Sequence, residues 1–232
     1  MGKERSSLQT VIDNILSNKI ALNVLEAGCG SSNHLQFNNE VHLVGIDISK
    51  KQLQRNTNLN EKVLGDIQDY DFQPASFDVI VCWDVLEHLP RPEKALQNFA
   101  SILKDEGIAV LKLPNVFSLK GLLTKFLPYP LHILVYRYIY GKRDVGEDDK
   151  GPFKTYLKWS VAPASIKKFA ENKGLRVVYF ETDDISNTNW FIKNRMAHRI
   201  YKMVKSVVKF LSLGYLTDSE FVIVLQKPIG LF

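Results

Sequence analysis

The stretch Leu22-Asn23-Val24-Leu25-Glu26-Ala27-Gly28-Cys29-Gly30 is a short apolar run that closes on an acid and stops in a glycine turn. A run of this kind bounded by glycines reads as a buried strand. Glycines at 28 and 30 let the backbone turn sharply and lie against a ligand that a Cβ would exclude. The pattern repeats downstream. Val41 to Ile48 is a second apolar strand with Asp47 near its end, and Val63 to Ile67 is a third, carrying Gly65-Asp66. Phe77 to Trp83 is nearly all apolar, as expected of a central strand covered on both faces. Ile108 to Leu113 is a fifth strand. Leu8 to Asn18, Lys51 to Asn60 and Pro92 to Leu103 read as helices, the last with Pro92 in its first turn and Gly107 beyond its end. Strands alternating with helices predict an α/β fold, a parallel sheet with helices on both faces.

Beyond Pro114 the pattern changes. The segment to Trp159 is rich in aromatics and prolines and holds an acidic turn, Gly146-Glu147-Asp148-Asp149. Pro163 to Asn172 then reads as a helix, and Leu175 to Glu181 and Phe221 to Gln226 as strands. There is no internal repeat and no low-complexity tract. A length of 232 residues with 45% hydrophobic and 24% charged residues is that of an ordinary globular domain, which excludes disorder or a coiled coil as the description of the whole. Cys29 and Cys82 are too few for a disulfide scaffold and read as small apolar fillers. The start, MGKERSSLQT, lacks the apolar core of a secretory signal, and no stretch is apolar enough to span a bilayer, so the expected location is cytoplasmic.

The net charge of +5 is concentrated. Lys193, Arg195, Arg199, Lys202, Lys205 and Lys209 fall between Lys193 and Leu213 with no Asp or Glu among them, so the remainder is close to neutral. That distribution describes one basic element on a near-neutral domain and speaks against a nucleic-acid partner.

In an open parallel sheet, ligands bind outside the carboxyl ends of the strands. Here those ends carry Glu26, Gly28 and Gly30, then Asp47, about 20 residues beyond Glu26 and suited to a ribose diol. Asp66 follows as an acceptor suited to an adenine amino group. Three residues past Gly30 stands Asn33, so the third glycine of a dinucleotide fingerprint is missing.

Leu25-Glu26-Ala27-Gly28-Cys29-Gly30, Asp47, Gly65-Asp66 and Trp83-Asp84-Val85-Leu86-Glu87-His88-Leu89, taken in this order, resemble the class I S-adenosylmethionine-dependent methyltransferases. The likeness is to the type 11 subgroup, which includes the quinone-ring methyltransferases, and runs from Val24 to about Pro114. One departure is Ser31-Ser32, where many relatives have a further glycine. The resemblance implies a Rossmann-like, mostly parallel seven-stranded sheet with helices on both faces and an antiparallel last strand. It also implies one methyltransferase domain over 1–232, with an aromatic-rich acceptor-side insertion at about 114–160 and a basic helical insertion at about 190–214. Glu26, Ala27, Gly28 and Gly30 would border the methionine end of S-adenosyl-L-methionine, and Asp47 with Ile48 would hold its ribose. Asp66 and Ile67 would face the adenine, and Trp83 and Asp84 would line the floor under the sulfonium.

Methyl transfer needs chiefly positioning and exclusion of water, plus a base when the nucleophile carries a proton. His88 is the candidate base. Asp84, Glu87 and His88 have the residue types of a metal site, but no obvious further ligand accompanies them and no metal is assigned. Phe117, Phe126, Tyr129, Tyr136, Tyr138 and Tyr140, with His132 and Arg137 among them, suit an apolar or ring-bearing acceptor, and Phe153-Lys154-Thr155-Tyr156 suits a second rim. The function implied is methyl transfer to an oxygen of a small, lipid-linked or glycan-linked acceptor. The alternatives are an RNA or protein methyltransferase, or a non-catalytic cofactor-binding module associated with a membrane.

From Arg195 to Leu213, helical spacing places Met196, Ile200, Met203, Val204, Val207, Val208 and Leu211 on one side and the cations on the other. Three placements compete. The leading one docks the apolar face on the domain and leaves the lysines solvated. The second lays the helix on an anionic membrane, a peripheral contact. The third tracks a phosphate backbone.

Overall fold

The computed structural model describes residues 4–134, 137, 151, 153–188, 192–211 and 218–230. In chain order these form α1 (Glu4–Leu16), β1 (Ala21–Ala27), β2 (Glu40–Asp47), α2 (Lys50–Arg55), β3 (Glu61–Leu64), β4 (Phe77–Trp83) and α3 (Pro92–Ile102). There follow β5 (Leu103–Pro114), α4 (Leu119–Phe126), α5 (Tyr129–Leu134), α6 (Pro163–Asn172), β6 (Arg176–Asp183), α7 (Arg195–Leu211) and β7 (Glu220–Gln226). The seven strands make one sheet in the order β3-β2-β1-β4-β5-β7-β6. Strands β1 to β5 pair in parallel, and β7 runs antiparallel to both neighbours, β5 and β6. The expected Rossmann-like sheet is present, antiparallel last strand included.

β4 explains the layering. Its residues are buried from Phe77 to Cys82, and alternate side chains enter different cores. Val79 and Val81 pack with Leu8, Ile12 and Leu16 of α1, which recur every four residues and so share one helix face. Ile80 and Cys82 point the other way, into a cluster with Leu96 and Phe99 of α3 and Ile166 of α6. Because α1 covers that first face, the glycine turn after β1 need not feed a helix. Residues 31–39 run instead as an irregular loop.

Several boundaries differ from the sequence expectation, and three of them have a local reason. α2 stops at Arg55 rather than Asn60. Asn56 is extended, its side-chain oxygen accepts the Asn58 N–H at 3.2 Å, and the Asn60 side chain accepts the Leu43 N–H at 2.8 Å. These polar side chains compete with helical hydrogen bonds. β3 ends at Leu64, which leaves Gly65-Asp66 in the loop beyond it. β5 begins at Leu103, directly after α3, so Gly107 lies inside a strand and not past a helix end. A Cβ there would come 2.8 Å from the Lys104 carbonyl oxygen.

The basic segment forms α7, and the expected docking of its apolar face is reversed. Tyr201 and Lys205 are two of the side chains that hold it to the domain. The Tyr201 hydroxyl lies 3.1 Å from Ser219 Oγ, and Lys205 Nζ reaches Asp184 and, at 2.9 Å, Asp218. Met196, Ile200, Met203, Val207 and Phe210 are exposed. The polar anchors belong to Asp184, Asp218 and Ser219, residues outside the helix, and they outweigh its own amphipathic pattern.

Ile12 is fully buried in a cluster with valines of four strands, β1, β4, β5 and β7. Ile12→Ala is expected to lower unfolding stability by about 2–5 kcal/mol, the range for emptying a packed aliphatic site. A urea titration checks this, reading a lower midpoint at an unchanged slope.

Candidate functional site

At the carboxyl ends of β1, β2 and β4, with the loop that follows β3, lies a cavity of about 520 Å³. Its wall includes Gly28, Gly30, Asp47, Ile48, Asp66, Ile67, Trp83, Asp84 and His88, residues spread over some sixty positions of sequence and brought together by the sheet. Glu26 and Ala27 stand behind that wall, buried at the end of β1.

The glycine turn is held by β2, whose Ile46 carbonyl accepts the N–H of Gly28 at 2.8 Å and of Cys29 at 3.1 Å. Gly28 has φ +69°, and a Cβ on it would sit 2.5 Å from a methyl of Val85, so this position requires glycine. Asp47 locks the other side of the turn. One of its oxygens accepts the Gly30 N–H at 2.9 Å and the other the Ser49 N–H at 2.8 Å. Each oxygen keeps a second acceptor position. Asp66 is oriented by Gln68, which donates its backbone N–H at 2.9 Å and its side-chain amide to both carboxylate oxygens at 3.0 and 2.9 Å. Gln68 is in turn fixed by the Arg91 N–H, 2.8 Å from its side-chain oxygen.

Asp84 adopts φ +55°, a left-handed conformation that aspartate tolerates better than most residues but that still carries strain. Its N–H donates to the Lys112 carbonyl at 2.9 Å, and the Lys112 ammonium donates to its carboxylate at 2.8 Å. The same ammonium lies 2.9 Å from Glu220, which also pairs with Lys120. Burial alone would raise the Glu220 carboxyl. The two lysines prevail and hold it down at about 2. Burial would likewise lower the Lys112 ammonium, but Asp84 and Glu220 push it above its ordinary value.

The 3₁₀ turn Leu86–His88 is pinned by the segment after Gly151. The Glu87 carbonyl accepts the N–H of Tyr156 at 2.8 Å and of Leu157 at 2.9 Å. The Lys154 carbonyl lies 2.9 Å from His88 Nδ1. A carbonyl only accepts, so Nδ1 carries the proton and Nε2 keeps a free lone pair. Burial holds the His88 imidazole below its usual pKa, against the Lys154 carbonyl and Asp84. The Glu87 side chain is buried, with one carboxyl oxygen lacking any hydrogen-bond partner and the other 3.9 Å from His88 Nε2. Burial, reinforced by Asp84, pushes that carboxyl up to about 8.

Besides Gln68, two features lie beyond what sequence reasoning singled out. His34 Nδ1 sits 2.6 Å from the buried Glu26 carboxylate, and its ring stacks on Trp83 at 5.6 Å and 13°. Burial raises the Glu26 carboxyl, and His34 opposes it. Lys112 and Glu220 are the second omission, since their strands read only as apolar. Of the aromatics expected at the acceptor, Phe153 lines the cavity and meets His88 edge-on at 5.9 Å. Phe117 packs on Trp159 at 5.1 Å, and Phe126 and Tyr129 are exposed. Tyr136, Tyr138, Tyr140, the acidic turn at 146–149 and the His132 side chain lie outside the described residues. Cys29 and Cys82 are buried free thiols. Burial, aided by nearby carboxylates, pushes Cys29 up to about 12 and raises Cys82 as well, which suits filler rather than nucleophile.

Residues 3–179 match the methyltransferase domain family. An uncharacterized protein of Methanocaldococcus jannaschii is 26% identical over 214 residues, covering 89% of this chain and 79% of that one. The ubiquinone biosynthesis O-methyltransferase of Coxiella burnetii is 25% identical over 166 residues, covering 67% of this chain. The match spans 64% of that relative's length. The crystal structure of a SAM dependent methyltransferase from Archaeoglobus fulgidus shares the fold with a TM-score of 0.53 at 18% identity, over 96% of this chain and 94% of that one. The family match takes in α1, the glycine turn, the strand ends around the cavity and the His88 turn, and the chain belongs to this methyltransferase domain family.

Proposed function

We propose that the protein, as one methyltransferase domain, methylates an oxygen of a small, lipid-linked or glycan-linked acceptor, working in the cytoplasm with peripheral contact to a membrane. One observation carries this reading: two oriented carboxylates, a glycine cradle and an imidazole with a free Nε2 converge on a single cavity. The cavity fits the cofactor, because Gly28 and Gly30 line it with bare backbone and Asp47 and Asp66 both keep acceptor capacity. S-adenosyl-L-methionine supplies an electrophilic methyl group on a sulfonium.

The chain's own residues do the rest. Gly28 and Gly30 hold the backbone open for the methionine end, backed by Glu26 and Ala27. Asp47 and Ile48 are assigned to the ribose, and Asp66 and Ile67 to the adenine. Trp83 and Asp84 form the floor, fixed by Lys112. His88 accepts the acceptor's proton at Nε2, and the Lys154 carbonyl stabilises the imidazolium that results. Phe153 adds an apolar wall for a ring or lipid chain.

Calorimetric titration tests the cofactor site. Wild type should bind S-adenosylmethionine and S-adenosylhomocysteine in the micromolar range, and Gly28→Val and Asp47→Ala should abolish binding; a wild type that binds neither overturns the reading. His88→Gln should lower kcat about 10²–10⁴-fold on any phenolic lipid that wild type methylates, with cofactor binding unchanged. Because His88 sits below its usual pKa, the acid limb of the wild-type rate profile should lie below about pH 6.5. A profile unaffected by His88→Gln removes its role as base. No turnover with phenolic lipids or lipid-linked sugars, despite cofactor binding, would favour RNA, protein or a non-catalytic role.

Glu87 gives a separate pH test. Its carboxyl is raised in the folded state, so its protonated form favours folding at low pH and that contribution is lost as pH climbs towards about 8. Glu87→Gln should lose less stability than wild type between about pH 5 and pH 8, read from urea midpoints at each pH. Parallel curves would mean that Glu87 ionises freely in the fold.

A further inference from the structure

α7 presents a surface that the described residues of the domain leave exposed. Its inward side includes Tyr201 and Lys205, held by Ser219, Asp184 and Asp218, with the half-buried Val208 beside them. On the opposite side Met196, Ile200, Met203, Val207 and Phe210 form a stripe, with Met196 77% and Phe210 82% exposed. Arg195, Arg199, Lys202 and Lys209 lie along one flank of that stripe, and the helix contains no acid. We infer that this face of α7 is a docking surface for the headgroup region of an anionic phospholipid leaflet, with the apolar stripe inserted and the flanking cations at the phosphates.

Charge selects this occupant. A second copy laid on the same stripe would bring together two helices rich in cations with no carboxylate between them. A nucleic-acid backbone would satisfy the cations but leave the exposed apolar stripe in water. An interfacial helix needs both an apolar face and flanking Lys and Arg, and this one has both. It is also held by contacts that burial of the stripe would not disturb.

The position fits a lipid-linked acceptor. Ser219, which meets Tyr201, accepts the Asn115 N–H at 2.8 Å through its carbonyl, and Asn115 directly follows β5. α7 is therefore anchored at the carboxyl edge of the sheet, the edge at which the cavity opens. α4 starts at this edge, its capping Ser118 also reaching the Ser219 carbonyl, and exposes Leu123 and Phe126. The inference specifies the partner of the peripheral contact in the proposed function and rests on that reading.

The test is sedimentation of the full chain with vesicles of phosphatidylglycerol and phosphatidylcholine, against phosphatidylcholine alone. Wild type should pellet with the anionic vesicles and be released by salt. Arg199→Glu with Lys202→Glu should weaken that binding on the order of tenfold or more, and Met203→Ser with Phe210→Ser should also weaken it. All variants should keep wild-type affinity for S-adenosylmethionine in calorimetry, which shows that they fold. Failure of wild type to pellet, or binding indifferent to both pairs of substitutions, overturns the inference and leaves the cofactor site standing. A dimer in sedimentation equilibrium that Met203→Ser with Phe210→Ser dissolves, without vesicle binding, overturns it in favour of a second copy. Loss of cofactor binding in wild type with vesicle binding intact would instead overturn the enzymatic reading.

Discussion

Burial of β4 on both faces is the constraint from which the rest of the molecule follows. A strand that sends Val79 and Val81 one way and Ile80 and Cys82 the other can exist only if helices cover both sides of the sheet. α1 covers one side and α3 with α6 the other. The ends of the strands are then the places where backbone can meet a ligand, and the carboxyl end of β4 is where Trp83 and Asp84 emerge. The strained backbone of Asp84 is sustained there by its N–H bond to Lys112 and by the Lys112 ammonium, both supplied by the neighbouring strand.

The antiparallel β7 contributes to the same place in a way that a parallel strand could not. Because it runs against β5, its first residue, Glu220, lies beside Pro114 at the carboxyl end of that strand. A carboxylate thus arrives next to Lys112 and Lys120, and a chain of alternating charge runs from Asp84 through Lys112 and Glu220 to Lys120. Such a half-buried network rigidifies its surroundings only when every member is partnered. The unpartnered oxygen of Glu87 beside it is the exception, and the physical reply is a carboxyl that prefers to stay protonated.

How much of this could be read from the sequence follows from how local each signal is. β4 and α6 have the expected boundaries, Phe77–Trp83 and Pro163–Asn172, because an unbroken apolar run and a proline at the helix start are local facts. Two of the boundaries that shifted lie where polar side chains or a long-range strand pairing decide, at Asn56 to Asn60 and at Leu103 opposite Phe77. Asp47, Asp66 and His88 stood out because each closes or follows an apolar strand. Lys112 and Glu220 did not, because their partners are far away in the chain, and His34 and Gln68 did not, because only the course of a loop turns them onto Glu26 and Asp66. Periodicity identified the two faces of α7 but not which one meets the protein, since Asp184, Asp218 and Ser219 settle that from outside the helix.

The loop that follows the glycine turn also bears on which ligands the site refuses. In dinucleotide-binding proteins a helix begins directly after such a turn, and its N-terminus attracts a pyrophosphate. Here residues 31–39 carry no helix, while Asp47, Asp66 and Asp84 face the cavity. A doubly charged phosphate bridge would meet carboxylates without the compensating dipole of a helix at the turn. A positively charged sulfonium meets those same carboxylates as attraction. On the proposed reading, the omission of one helix favours such a sulfonium over a phosphate bridge.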